Sequence, residues 1–133
     1  MTEHADGAAE AHGHGKAVMR GLAPEARALR QMIPGVYEGF VGLSNAAMAP
    51  GALDTRTKEL LALVMAVTLR CDGCIATHAR GAANSGATRE EVAEAIGVTF
   101  LMNGGPGTVY GPRAYDAFVE FLEAKQAKES SAG

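Results

Sequence analysis

The sequence predicts an all-α fold, and three observations support this prediction. Apolar residues recur three and four positions apart through most of the chain, as they do along one face of a helix. Pro, Gly and capping residues that start or stop helices separate these segments. No segment alternates between apolar and polar residues, and no hairpin signal joins two such segments.

The first two predicted helices follow a region without periodicity. Residues 1–20 are rich in Gly, Ala, His and acidic residues, so we expect a flexible tail there. Pro24 is typical of a first helical position, and apolar residues at helical spacing continue from it to Ile33. A Pro-Gly pair then interrupts the pattern, and a second helix is expected over 36–48.

The next two helices meet at the only two cysteines of the chain. Asp54 has the position of an N-cap for a helix that carries the apolar segment 60–69. Because apolar residues lie nearly all round this helix, we expect it to be central and buried. The following helix should begin near Cys71 and run to Asn84, with Gly86 in the usual stop position.

Two further helices complete the predicted domain. Thr88 and Glu91 have the spacing of a capping box, which opens one helix. The Gly-rich segment 104–107 should end it. The last helix is expected over about 113–125, with Pro112 in its first turn.

Length and composition indicate one small domain. We expect it over 21–127, between the flexible N-terminal tail and a second flexible tail over 128–133. Aromatic residues make up 5% of the chain and Trp is absent, so the core should depend on small residues. A short chain with such a core often gains stability from a second subunit, and we expect a homo-oligomer.

Charge and hydropathy exclude several kinds of partner. The formal net charge of -3 and a pI near 5.8 argue against nucleic-acid binding. No apolar run reaches the roughly 18 residues of a membrane span, and the N-terminus lacks the apolar core of a signal peptide. We therefore expect a cytoplasmic protein, where a Cys-x-x-Cys pair is more often catalytic, redox-sensing or metal-binding than structural.

The only two cysteines, Cys71 and Cys74, belong to the segment CDGCIATH, which ends at His78. At about 100° per residue, the three side chains share one stripe of a helix, and His78 follows Cys74 by one turn. The start of a helix favours the thiolate, which is the nucleophilic form of cysteine. The pattern indicates a reactive dithiol with a proton carrier, or part of a metal site.

An acidic residue, Glu59, precedes the most apolar segment of the chain. In one straight helix Glu59 and Cys71 would lie about 18 Å apart. They can meet only if the chain turns near Arg70 and the two helices pack side by side, and we predict this turn. Arg70 is then a candidate partner for Glu59 or for the Cys71 thiolate.

The spacing Glu59-x11-Cys71-x2-Cys74-x3-His78 resembles the signature of the alkylhydroperoxidase D branch of the carboxymuconolactone decarboxylase superfamily. The flanking segments LDTRTKEL and GATREE and the later Gly-Gly-Pro are also similar, and the resemblance covers roughly residues 35–125. It implies a helical alkylhydroperoxidase D-like fold that assembles into homotrimers or homohexamers.

The resemblance also implies an antioxidant enzyme that reduces organic hydroperoxides through a dithiol/disulfide cycle. By position, Cys74 would attack the peroxide, Cys71 would resolve the product, and Glu59 and His78 would form a proton relay. No cofactor is implied, but an external dithiol or protein reductant must reopen the disulfide. Related proteins carry a second histidine where this chain has Gly73. The helix dipole alone favours Cys71 as the more acidic thiol, so the order of attack stays open.

Two other functions fit the same residues. The chain could be a thiol-disulfide reductase that serves a separate peroxidase. It could also be a non-catalytic zinc-binding oligomeric module, although zinc prefers four ligands and the stripe offers at most three. The fourth would come from Glu59, from another subunit or from the tail histidines His4, His12 and His14, which otherwise belong to a solvated tail. A buried structural thiol pair is the remaining alternative.

Overall fold

The computed structural model describes residues 13–132, and these form six α-helices and no strand. The all-α prediction is confirmed. In chain order the helices are α1 (Lys16–Met32), α2 (Pro34–Met48), α3 (Thr55–Leu69), α4 (Asp72–Asn84), α5 (Arg89–Asn103) and α6 (Gly105–Ala132).

Helices α3 to α6 pack into a bundle around one core. Helix α4 lies between α3 and α6, and α5 packs against both of these neighbours as well. The prediction of a core built from small residues is confirmed, because alanines fill most of the space between a few larger side chains. The largest fully buried side chains are Leu63, Val67, Ile75, Val92 and Phe118, and the buried alanines are Ala66, Ala76, Ala79, Ala82, Ala83, Ala87, Ala114 and Ala117.

Helix α3 differs from its prediction as a helix buried all round. Only Leu63, Ala66 and Val67 are buried, whereas Met65 is 59% exposed and Leu69 is 74% exposed. The other bundle helices cover one side of α3 and leave the opposite side to solvent. The apolar residues of α3 therefore form two surfaces. One packs into the core of the bundle, and the other is exposed in the single chain.

Helices α1 and α2 form an extension to the bundle, here called the α1–α2 arm (residues 16–48). None of the residues in either helix is buried. Helix α1 contacts the bundle mainly along α4, and α2 contacts little beyond its two neighbours in sequence.

Helix α1 begins at Lys16, eight residues before the predicted start at Pro24. Its first backbone N–H, that of Lys16, donates a 3.0 Å hydrogen bond to Oε1 of Glu120 in α6. A carboxylate from a distant helix thus replaces the local N-cap that the sequence lacks. Residues 16–20 of the predicted flexible tail are consequently helical, while residues 1–12 lie outside the described part of the chain.

Helix α6 is also longer than predicted. It begins at Gly105, so the expected break is confined to Gly104, whose φ is 64°. Pro112 lies inside the helix, and residues 128–132 of the predicted C-terminal tail continue it. Despite this length, neither α6 nor any other helix within residues 13–132 is long and apolar enough to cross a membrane.

The predicted N-caps of α3 and α5 are confirmed. The Thr57 N–H donates to Oδ1 of Asp54 at 2.8 Å, and hydrogen bonds from Thr57 lower the pKa of the Asp54 carboxyl. At α5 the Glu91 N–H donates to the Thr88 hydroxyl, and the Thr88 N–H donates to the Glu91 carboxylate. Both caps act within four residues, which is why the sequence reveals them.

Candidate dithiol site

The chain reverses between α3 and α4 at Arg70, as the sequence predicts. Arg70 adopts the left-handed conformation (φ 56°, ψ 45°), which costs an L-residue roughly 1–2 kcal/mol. The Arg70 N–H donates to the Val67 carbonyl and the Cys71 N–H to the Ala66 carbonyl, so two of the last carbonyls of α3 are satisfied. The turn lays α4 alongside α3.

This turn brings Glu59 of α3 to His78 of α4. Nδ1 of His78 and Oε2 of Glu59 are 2.9 Å apart, although the residues are 19 positions apart in sequence. The Glu59 side chain is 13% exposed and that of His78 is 28% exposed, so the pair is largely shielded from water. A carboxylate on one ring nitrogen orients the imidazole and leaves the other nitrogen for proton transfer.

Arg70 does not share in this pair. Its side chain makes no ion pair within residues 13–132, and the partner of Glu59 is His78. Arg70 contributes to the site through its backbone conformation, which turns the chain.

Gly81 makes room for the Glu59 carboxylate. It follows His78 by about one helical turn, and a Cβ built on it would overlap the carboxylate group of Glu59. The sequence analysis did not identify Gly81. A signal was present, because glycine inside a helix costs about 0.5–1 kcal/mol relative to alanine, and its presence there indicates a close approach.

Cys71 and Cys74 form a disulfide, with 5.2 Å between their Cα atoms. Cys71 is the N-cap of α4, and its sulfur accepts a 3.2 Å hydrogen bond from the Cys74 N–H. Cys74 is in the first turn and packs against the core. Both sulfurs thus lie at the helix end where unpaired N–H groups and the helix dipole favour a thiolate in the reduced protein.

Helix α1 closes over the position where related proteins are expected to carry a second histidine. A Cβ on Gly73 would come within 2.9 Å of Cδ1 of Leu22. The side chain of Leu22 therefore occupies space that a larger residue at position 73 would need.

A second pair of charges joins α6 to the first turn of α4, next to Cys71 in the sequence. Nη1 of Arg113 donates to Oδ1 of Asp72 at 3.1 Å and to Oδ2 at 3.3 Å. The Arg113 guanidinium also lies over the ring of Tyr110, with 4.4 Å from Cζ to the ring centroid. Asp72 stands between the two cysteines. The sequence analysis did not identify this contact, because 41 residues separate its partners and no local pattern marks them.

An apolar groove of about 370 Å³ runs between α3 and α5. It reaches Leu69, two residues before Cys71. Its lining residues are Val64, Met65, Thr68, Leu69, Val98, Thr99 and Met102.

Side chains that could bind a metal ion are not clustered in the described part of the chain. Within residues 13–132 no three His, Cys, Asp or Glu side chains are grouped to hold a metal ion. His4 and His12, which the sequence offers as loose ligands, lie outside these residues.

Comparisons with known proteins agree with the fold. The model of the carboxymuconolactone decarboxylase family matches residues 34–117. A crystal structure of a member of that family from Legionella pneumophila superposes with a TM-score of 0.72 at 38% identity, covering 85% of this chain and 97% of the other. An uncharacterised protein of Cupriavidus necator is 38% identical over 97 residues, which are 73% of this chain and 85% of the relative.

A second crystal structure is also similar to this chain. It is a carboxymuconolactone decarboxylase family protein from Thermotoga maritima, described as a candidate for the antioxidative response. It is 36% identical to this chain, covers 71% of it and 94% of its own length, and superposes with a TM-score of 0.58.

Proposed function

Since this chain belongs to the carboxymuconolactone decarboxylase family, we propose that it is a cysteine-dependent antioxidant oxidoreductase that reduces organic hydroperoxides. One observation carries the proposal: the Glu59–His78 pair lies one helical turn from Cys74, which shares a disulfide with Cys71. The Thermotoga maritima relative supports the antioxidant role. The apolar groove that reaches Leu69 suits the organic part of such a substrate.

The proposed reaction begins with the reduced protein. The Cys74 thiolate attacks the distal oxygen of the hydroperoxide, the O–O bond breaks, and the alkoxide takes a proton and leaves as alcohol. His78, oriented by Glu59, supplies this proton. Cys74 is then a sulfenic acid, and the sulfur of Cys71 attacks the sulfur of Cys74 while the Cys71 thiol proton passes to the departing hydroxide, which leaves as water. The product is the Cys71–Cys74 disulfide.

An external dithiol or protein reductant completes the proposed cycle. It transfers two electrons by thiol–disulfide exchange and restores both thiols. The chain's own residues need no bound cofactor for these steps. The cytoplasm supplies such reductants, and we place the protein there on this basis.

We also propose that the protein works as a homotrimer or homohexamer. Several large apolar side chains outside the core are more than half exposed in the single chain, which is typical of an association surface. They lie on the α1–α2 arm and on the outer side of α5. Examples are Phe40 at 66%, Leu43 at 63% and Leu101 at 83%.

A thiol–disulfide reductase that serves a separate peroxidase is the second candidate. The side chain of Asp72, between the cysteines, is 45% exposed, so a protein disulfide could approach the first turn of α4. The zinc-binding module differs from both redox functions in requiring the cysteines as metal ligands.

The deciding experiment counts thiols by mass spectrometry before and after one equivalent of cumene hydroperoxide. We expect the reduced protein to lose both thiols and two hydrogens in mass. Cys71→Ser should stop at a sulfenic acid that dimedone traps on Cys74, and Cys74→Ser should abolish turnover. Glu59→Gln should slow the reaction without changing the number of thiols.

Other outcomes would contradict the proposal. Unchanged turnover in Cys74→Ser would exclude Cys74 as the attacking residue. Thiols that ignore the peroxide but exchange readily with a disulfide reagent would establish the reductase instead. Thiols inert to both reagents, in protein that contains near-stoichiometric zinc, would establish the metal module.

A further inference from the structure

Asp72 lies between the two cysteines in the sequence and carries a negative charge. It directly follows Cys71 and lies in the first turn of α4, where a carboxylate interacts favourably with the helix dipole. The same charge disfavours a thiolate on the adjacent Cys71, because like charges repel. An unpaired Asp72 would therefore oppose the stabilisation that the helix start offers to the thiolate.

Arg113 of α6 neutralises this carboxylate. Its Nη1 contacts both oxygens, at 3.1 and 3.3 Å, and the Tyr110 ring lies against its guanidinium. Arg113 and Tyr110 are three residues apart on α6, so both side chains project from the same face of that helix. The ion pair holds the segment between the cysteines against α6.

Within residues 13–132, the other elements around this turn place no second cation on Asp72. Helix α1 contributes the apolar Leu22, and Glu59 of α3 is engaged with His78 of α4. Arg70, which precedes Cys71, is exposed and makes no ion pair within residues 13–132. The α6 guanidinium is thus the cation in contact with the carboxylate between the cysteines.

We propose that Arg113 is a positioning residue that sets the balance between the dithiol and the disulfide by neutralising Asp72. This inference rests on the proposed dithiol cycle. Loss of the guanidinium leaves the carboxylate uncompensated and destabilises the thiolate, so the equilibrium moves toward the disulfide. The side chains of Arg113 and Asp72 are 33% and 45% exposed, so water and salt screen the effect and keep it modest.

The test measures the dithiol/disulfide equilibrium of the full chain in glutathione buffers, followed by alkylation and mass analysis. We expect Arg113→Gln to shift the equilibrium constant about two- to fivefold toward the disulfide at pH 8. Alkylation of the reduced protein by iodoacetamide at pH 7 should slow by a similar factor. Both effects should diminish in 1 M NaCl, because the charges are partly exposed.

Three further variants separate charge from packing. Asp72→Asn should shift the equilibrium in the opposite direction, and combining it with Arg113→Gln should return the constant close to that of the wild type. Arg113→Lys keeps the positive charge and should stay near the wild type. The matched control is Arg89→Gln, which removes the 3.7 Å contact between Arg89 and Glu123, an Arg–carboxylate pair between α5 and α6 away from the dithiol.

The outcomes distinguish this inference from the proposed function. A wild-type protein without a reversible dithiol/disulfide couple would overturn both. A wild-type protein with such a couple, together with an Arg113→Gln variant that behaves identically, would overturn only the role of Arg113. A shift in Arg113→Gln that the Asp72→Asn change fails to reverse would also contradict it, because the effect would then not pass through the carboxylate.

Discussion

The α3–α6 bundle and the α1–α2 arm have apolar residues in similar abundance but bury them very differently. The fully buried apolar side chains belong to the bundle and to its turn at Ala87, whereas no residue of α1 or α2 is buried. Phe118 in the bundle has no exposed surface, while Phe40 in α2 is 66% exposed. The bundle is stabilised by its own core, and the arm presents an apolar surface that the single chain does not cover.

The largest expected difference between the two regions comes from removing one phenylalanine from each. Phe118→Ala leaves a cavity at the centre of the bundle and should lower the free energy of unfolding by about 3–5 kcal/mol. Urea denaturation followed by circular dichroism measures this. A loss below about 1 kcal/mol would contradict the central role of Phe118 in the core.

A charge on the arm should change assembly while the helical fold persists. Phe40→Asp places a carboxylate on the exposed apolar surface, and we expect the subunit dissociation constant to rise more than tenfold. Burial of one such side chain contributes about 1.5–3 kcal/mol, which corresponds to that factor or more. Light scattering after size-exclusion chromatography measures the mass of the assembly.

The control for this variant is Glu38→Asp, which keeps the charge of an exposed α2 residue and should leave the mass unchanged. Wild-type protein that is monomeric at high micromolar concentration would refute the proposed oligomer. The arm would then need another explanation for its apolar surface.

The smallest effect concerns a local interaction within the bundle. Thr88→Ala removes the hydroxyl that accepts the Glu91 N–H at 3.1 Å, and it should lower the free energy of unfolding by about 1 kcal/mol. Thr68→Ala is the matched control, because its hydroxyl bonds to the Val64 carbonyl inside a helix and caps nothing. Equal losses in the two variants would show that the capping box contributes little.

Local signals in the sequence predicted most of the helix boundaries. Asp54, the Thr88–Glu91 box and Gly86 act on backbone groups within a few residues, and each begins or ends a helix where predicted. The start of α1 was predicted wrongly because its capping carboxylate, Glu120, comes from α6. Pro112 was predicted wrongly as a first-turn residue, since α6 continues through it from Gly105.

The candidate site likewise combines features that local sequence patterns predicted with features that depend on distant contacts. The sequence predicted the geometry that the structure displays, from a turn at Arg70 and from the spacing of Glu59, Cys71, Cys74 and His78. Their catalytic roles stay predictions. The space left by Gly81, the cover from α1 and the ion pair between Asp72 and Arg113 depend on contacts between helices. A glycine inside a helix is a local sign of the first, whereas no local pattern marks the other two.

The sequence by itself therefore determined the all-α class, the capped helix starts and the shared stripe of the dithiol and His78. Periodicity and capping act over three or four residues, so they can be read along the chain. Only the tertiary structure decided which side of α3 is buried, which carboxylate caps α1 and which cation faces Asp72. These depend on how distant helices approach one another, and that approach is set by packing of the whole core.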